Sequence, residues 1–410
     1  MSASPAPAAP PLALYIHVPF CVSLCPYCDF VVYAGAAARG PSARIDAFLR
    51  AIRIELELRA DALDVAFTAI RPRLQTVYLG GGTPSLLPGE AVAELLDLVH
   101  SRYGIVDGAE VTIEANPGPD ERGDLRAFRD AGVNRVSFGA QSLAAGELKA
   151  LGRRHRPADV RSAVEDARAA RIDSVSLDLL YDIPDSTQAT WVDTLDAALD
   201  LEPDHLSLYA LTLDDPDAEG LTGPTGDHLP TTTGARRWRE RARPRQDEDR
   251  AVEQYTHAVD RLAADGWRGY EISNWARPGH ESRHNFVYWE RRPYEAVGPG
   301  AHAFDGVTRR WNAARLDGYL AALSPANGAP PRLPPGGCER LDEATAASES
   351  VILALRTDTG IPASTASNPR IANILDWARR EKLVESTATG HVVLTTRGRL
   401  LSNEVFARLT

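Results

Sequence analysis

The sequence predicts an α/β protein built on parallel strands, followed by a small winged-helix-like α+β module. Three observations predict it. Short β-branched runs alternate with amphipathic helical stretches at roughly 30-residue intervals, the rhythm of βα units. Glycine or polar residues recur just after those runs, at the carboxyl ends where parallel α/β folds place their sites. A Pro/Gly-rich stretch, Ser324 to Gly337, then separates off a shorter pattern of helices and one hairpin.

In chain order, the strand candidates are Leu14–Val18, Thr76–Leu79, Glu110–Glu114, Arg135–Phe138, Ser174–Leu180 and His205–Leu211. Helices are expected over Ala43–Ala60, Glu90–His100, Asp120–Ala131, Ala158–Ala170 and Ala189–Leu199. The first of these carries Ile45, Phe48, Leu49, Ile52 and Leu56 on one face, a helical period. Such an alternation closes as a parallel sheet or an open barrel with one shared site above it. From Asp214 to Asp249 the sequence turns to Asp, Gly, Pro, Thr and Arg without a period, read as a long excursion. A helix resumes at Ala251–Ala264. Beyond the Pro/Gly stretch, Ala344–Leu355, Arg370–Arg380, Leu383–Val384, His391–Leu394 and Arg397–Leu409 read as helix, helix, hairpin, helix. The division expected is a disordered 1–11, a barrel with its elaboration over 12–323, a linker over 324–339 and the winged-helix-like module over 340–410.

Composition bounds the function. A chain of 410 residues has ample length for a large core. Its net charge of −11 argues against nucleic-acid binding, and acidic and basic residues nearly balance after residue 340, so the module is read as packing or lid rather than DNA reader. The first eleven residues are Ala/Pro-rich, with no basic and apolar regions of a signal peptide, and no run is long enough to span a membrane. Four cysteines, three of them clustered, give no disulfide framework and fit a reducing cytoplasm. Cys338 is read as incidental.

The three clustered cysteines carry the chemistry. Cys21, Cys25 and Cys28 form Cys-x3-Cys-x2-Cys directly after the first strand. Thiolates so close on one loop converge on a soft centre, either zinc or an iron–sulfur cluster. A structural zinc site closes with four ligands, whereas a [4Fe–4S] cluster on three leaves an iron open. The spacing resembles the signature of radical S-adenosyl-L-methionine (SAM) proteins, in which SAM chelates that iron.

Further motifs extend the resemblance: Tyr15-Ile16-His17-Val18-Pro19-Phe20-Cys21, Gly80-Gly81-Gly82-Thr83-Pro84-Ser85, Glu114-Ala115-Asn116-Pro117, Gln141-Ser142, Leu151-Gly152-Arg153-Arg154-His155, Tyr270-Glu271-Ile272-Ser273-Asn274 and His284-Asn285-Phe286-Val287-Tyr288-Trp289. Together they resemble the oxygen-independent coproporphyrinogen III oxidase group from about residue 12 to the end. The resemblance implies a radical SAM partial (β/α)6 barrel. Two features favour its haem-binding branch over the dehydrogenase. Phe30 stands where the dehydrogenase has a further cysteine, and only about a dozen residues precede the first strand.

That branch implies a [4Fe–4S] cluster on Cys21, Cys25 and Cys28, SAM, and haem as cargo. It places Tyr15, Gly81, Gly82, Thr83, Glu114, Gln141, Arg153 and Asp178 around SAM, and His284 as a haem ligand. Arg153 would pair the SAM carboxylate, and Gly81 and Gly82 would let backbone approach its amino group. Taken singly, each is as readily structural: a Gly-Gly-Gly turn is an ordinary loop, a strand tyrosine packs, and His284 near a tight turn is a bonded core histidine. Partners implied are acceptor haemoproteins, membrane-associated respiratory proteins among them, and a homodimer. The rival is a radical SAM oxidoreductase cleaving SAM reductively to attack a tetrapyrrole; a zinc-bearing regulator is a third reading. Two departures stand out. Tyr181-Asp182-Ile183-Pro184-Asp185 replaces the group's Gly-Leu-Pro-Gly turn, and Ser282 stands where relatives often carry cysteine.

Overall fold

The computed structural model describes residues 7–38, 43–67, 71–214, 220–325 and 328–410. Six strands lie side by side in sequence order, each parallel to the next: β1 (Ala13–Val18), β2 (Leu74–Gly81), β3 (Ile105–Ala115), β4 (Arg135–Gln141), β5 (Ser174–Tyr181) and β6 (His205–Ala210). Helices α1 (Ile45–Phe67), α2 (Gly89–Tyr103), α3 (Leu125–Asp130), α4 (Ala145–Ala150), α5 (Pro157–Ala169) and α6 (Gln188–Leu199) fall between them. The reason is visible in burial. Leu14, Ile16 and Val18 are fully buried on β1, and α1 buries Phe48, Leu49, Ile52, Leu56 and Leu63 as one stripe against the strands. Strands covered by helices read as near-continuous apolar runs, as these do. This is the partial (β/α)6 barrel that the sequence predicts.

The sheet then continues past both ends of the barrel. Helices α7 (Thr233–Ala242) and α8 (Glu248–Ala264) lead to β7 (Arg268–Gly269) and β8 (Asn274–Ala276), which pair antiparallel beside β6. After α9 (Arg283–Trp289), strand β9 (Tyr294–Val297) adds parallel to β1. It is followed by antiparallel β10 (His302–Phe304), β11 (Thr308–Asn312) and, after α10 (Leu316–Leu323), β12 (Gly336–Arg340). These additions were not expected from sequence. Strands of two to five residues are too short to show a period of two. Two expectations change accordingly: α7 lies within the irregular excursion, and β12 uses residues from the Pro/Gly stretch read as linker.

The remaining chain supplies α11 (Glu343–Arg356), α12 (Pro369–Arg380), the hairpin β13 (Val384–Ser386) and β14 (Val392–Leu394), and two short terminal helices, Thr396–Leu400 and α13 (Ser402–Leu409), where one was expected. Val351, Leu355, Leu375, Leu394 and Val405 form their own apolar cluster. It attaches to the barrel through Ile272, which packs against this cluster, and through polar contacts. Fully buried Glu271 meets Arg356 at 3.2 Å, and Arg399 donates to the carbonyls of Gly269 and Glu271. Of the expected disordered start, residues 1–6 lie outside the described residues; the Ala8 amide donates to Asp305. Among the described residues no helix is long and apolar enough to cross a membrane.

Candidate functional site

Parallel strands end together, so whatever follows them meets at one rim. After β1 the chain runs Pro19-Phe20-Cys21, loops through Cys25 and Cys28, and returns at Tyr33. Phe20–Cys21 pairs in parallel with Tyr33–Ala34, pinning both ends of the loop, and the Cys28 amide donates to the Cys25 carbonyl to close the turn between the second and third cysteines. From outside, Arg239 of α7 donates to the carbonyls of Pro26 and Cys28 and pairs with Asp29. Sequence reading missed Arg239, which sits in the excursion more than 200 residues away.

The loop after β2 lies directly on this one. The Gly82 and Thr83 amides donate to the carbonyls of Val18 and Phe20, at 2.9 and 2.7 Å. Gly81 has a φ of 109°, and a Cβ there would strike the His17 ring; one on Gly82 would lie 2.6 Å from the Phe20 oxygen. The glycines are thus required by the protein itself, because two loops pass in contact. Thr83 hydroxyl then reaches the Cys21 sulfur at 3.3 Å.

Around the thiols stands a connected polar set. Glu114 at the end of β3 accepts from the Tyr78 hydroxyl (2.8 Å) and the Gly81 amide (2.9 Å). Arg153 donates to the Cys25 sulfur (3.4 Å), to the Gly139 carbonyl (2.8 Å) and to Asn116, whose amide bridges Thr83 and Glu121. Asp178 on β5 accepts from Ser137. Gln141 ends β4 at a φ of 66°, where the β4–β5 register slips, so a bulge aims it at the rim. Cys21, Cys25, Cys28, Gly81, Gly82, Thr83, Glu114, Gln141, Arg153 and Asp178 all line one cavity of about 420 Å³. Asn116, Tyr78 and Ser137 join them; Asn116 was visible in the Glu-Ala-Asn-Pro motif, the other two lie inside strands and look like packing.

Burial sets the charges. It pushes the Cys21 and Cys28 thiols up to about 12 and the Glu114 carboxyl up to about 7, against the hydrogen bonds Glu114 accepts. Thiols this buried become thiolates only on a cationic centre. Two buried polar atoms at the cavity wall have no protein partner, the Tyr27 hydroxyl and Arg153 Nε. Among the described residues no three His, Cys, Asp or Glu side chains are gathered to grip a single ion. Three thiols for iron, two carboxylates for an ammonium and ribose hydroxyls, and a guanidinium for a carboxylate fit the cluster and SAM.

Two residues stand apart. Tyr15 does not line this cavity; it bonds His17 at 3.1 Å and faces a neighbouring one. His284 is buried with both ring nitrogens taken, Nδ1 by Thr76 at 2.7 Å and Nε2 by Tyr288 at 2.8 Å. Burial lowers its basicity to a pKa of about 3. The ring of His284, expected as a haem ligand, lines neither cavity, and iron would have to displace one of those bonds.

Residues 15–198 match the Radical SAM superfamily. The chain is 38% identical over 406 residues to a Mycobacterium tuberculosis protein described as Heme chaperone HemW, covering 97% of this chain and 95% of that one. A Bacillus subtilis protein of the same description is 30% identical, covering 96% and 97%. The chain belongs to the HemW family. Among solved structures it resembles the coproporphyrinogen III oxidase HemN of Escherichia coli, a radical SAM enzyme, with a TM-score of 0.77 at 21% identity over 98% of this chain and 90% of that one. That likeness is one of fold.

Within this HemW-family chain the departures have structural answers. Asp182 and Asp185, in place of glycines, take positive φ of 54° and 63°. Asp enters that region more readily than most residues, and Asp182 is held there by Arg250 and the Asp247 amide. Ser282 caps α9, its hydroxyl accepting from the Asn285 amide. One prediction follows from Glu114. If it accepts from the SAM amino group, Glu114→Gln weakens SAM binding about tenfold, on the order of a charged hydrogen bond. Because burial raises the carboxyl to about 7, wild-type affinity should rise more steeply with pH through that value than the variant's. Equilibrium dialysis at pH 6 and 8 decides it; equal affinities would remove Glu114 from the site.

Proposed function

We propose that the protein is a haem chaperone: it holds a [4Fe–4S] cluster on Cys21, Cys25 and Cys28 with SAM beside it, captures haem, and delivers it to acceptor haemoproteins. The observation that carries this reading is similarity along nearly the whole chain to proteins described as heme chaperones. The rim supports it, since the polar set suited to SAM surrounds the same cavity as the thiols. Bound there, cluster and SAM would supply one-electron chemistry or a regulatory signal. The chain's own part is placement. Arg239 fixes the cysteine loop, Thr83 and Arg153 donate towards the sulfurs, and Glu114 and Asp178 offer carboxylates to a cation and to hydroxyls. In this reading the protein is a cytoplasmic homodimer, and its acceptors include membrane-associated respiratory haemoproteins.

The completeness of the polar set favours one rival, a radical SAM oxidoreductase acting on a tetrapyrrole. Phe30 in place of a fourth clustered cysteine weighs against coproporphyrinogen as its substrate. Anaerobic titration of cluster-loaded protein with haem, followed in the Soret region, separates them. A stoichiometric complex with no haem-dependent 5′-deoxyadenosine supports the chaperone. Absence of a specific complex, with 5′-deoxyadenosine formed on adding a tetrapyrrole, supports the enzyme.

A further inference from the structure

A second cavity, of about 470 Å³, opens beside the first. Asp29 and Phe30 line both, so the end of the cysteine loop is the partition between them. Its walls are aromatic: Tyr15 from β1, Tyr288 and Trp289 from α9, and Tyr294 from β9. Tyr288 and Tyr294 meet edge to face with centroids 4.7 Å apart, and the Tyr288 hydroxyl is held from behind by His284. Phe30 is 68% exposed, an unusual place for a phenylalanine with nothing to cover it. The indole N–H of Trp289 is buried with no protein acceptor.

Three histidines line this cavity, His17, His228 and His302; both His17 nitrogens are already bonded, to the Tyr15 hydroxyl and the Val31 carbonyl. His302 is stacked on Trp311, and its Nε2 lies 3.0 Å from Asp227, whose other oxygen accepts from the Leu221 amide. Its side chain is about half exposed, at 47%.

We propose that this second cavity receives the tetrapyrrole, with His302 as the axial imidazole and Phe30 and Tyr288 as apolar faces against the macrocycle. The inference rests on the haem-binding reading above and deepens it. A planar macrocycle with an iron centre needs three things from a protein: a slot of several hundred cubic ångströms, flat apolar walls and a neutral nitrogen donor. All three coincide here. Burial lowers the basicity of His302 despite Asp227, so its imidazole is neutral at pH 7, as ligation requires. Nε2 is the nitrogen a macrocycle can approach, since Nδ1 sits beside the ring's attachment. Ligation would exchange its bond to Asp227, whose side chain is 19% exposed, for one to iron. The Trp289 N–H, without a protein acceptor, offers a donor to a propionate. The His-Asn-x-x-Tyr-Trp stretch then works through its last two residues, with His284 a positioning residue for Tyr288.

The test is anaerobic haemin titration of the cluster-reconstituted full-length chain, comparing wild type with His302→Ala and Phe30→Ala. His302→Ala should shift the Soret band and weaken binding at least tenfold, and added imidazole should restore the band. Phe30→Ala should weaken binding severalfold without moving the band, with iron and sulfide content unchanged. If wild type binds haem and both variants match it in affinity and spectrum, the cargo sits elsewhere and this inference falls while the chaperone reading stands. If wild type binds no haem, both fall.

Discussion

Cys21→Ala is expected to abolish the iron–sulfur centre: anaerobically reconstituted variant should lose nearly all iron, acid-labile sulfide and visible charge-transfer absorbance, whereas Cys338→Ala keeps all three. The difference follows from position. Cys21 is the first of three thiols on one cavity wall, in contact with Thr83, while Cys338 lies exposed on edge strand β12. Two remaining thiolates hold a four-iron cluster poorly, because an unprotected iron is open to loss. The chain itself should survive the substitution. Phe20 and Tyr33 backbone pairing fixes the loop independently of the sulfur, so thermal unfolding of the cluster-free forms should coincide within a few degrees. A variant that retains wild-type iron and sulfide would remove Cys21 from the ligand set.

His284→Ala is expected to lower folding stability by about 3 kcal/mol, from a lost buried ring together with two buried hydroxyls left without their partner. Those hydroxyls are Thr76 and Tyr288. The backbone of the same residue also matters to α9, since Glu110 accepts from the amides of Arg283 and His284; alanine keeps that contact. The pH dependence gives a second signature. The ring titrates near 6.5 in the unfolded chain and near 3 when folded. Between those values the unfolded chain holds a proton that the native one does not, so this group favours unfolding as pH falls below 6.5. At pH 5 the difference amounts to about 2 kcal/mol. Urea midpoints at pH 7 and pH 5 should therefore drop further for wild type than for His284→Ala. In haem titration the variant's Soret band should stay in place, with affinity reduced a few-fold through a loosened Tyr288. A variant as stable as wild type but with a displaced Soret band would return His284 to the role of ligand.

What the sequence determined by itself was the run of βα units and the three-cysteine loop. Six apolar runs spaced by amphipathic helices leave few topologies, because parallel strands need crossover helices and right-handed connections. Cysteine spacing within one loop is a local property, so Cys21, Cys25 and Cys28 were legible without coordinates. Glu114 and Gln141 were also locatable, since parallel strands deliver their carboxyl ends to one rim, while Arg153 and Asp178 came from the family motifs. Tertiary structure decided the rest. The glycines after β2 looked like space for a ligand, and they turn out to be space for the β1 loop, a contact between segments some sixty residues apart. Arg239 grips the cysteine loop from an irregular stretch that carries no period to announce it. The edge strands β9 to β12 are too short to pattern, yet they supply Tyr294 and His302 to the second cavity. His284 is the plainest case of bonding that a motif does not show. Residue type and motif permit an iron ligand, but whether an imidazole nitrogen is free depends on what lies within 3 Å of it, and Thr76 comes from a strand more than two hundred residues earlier.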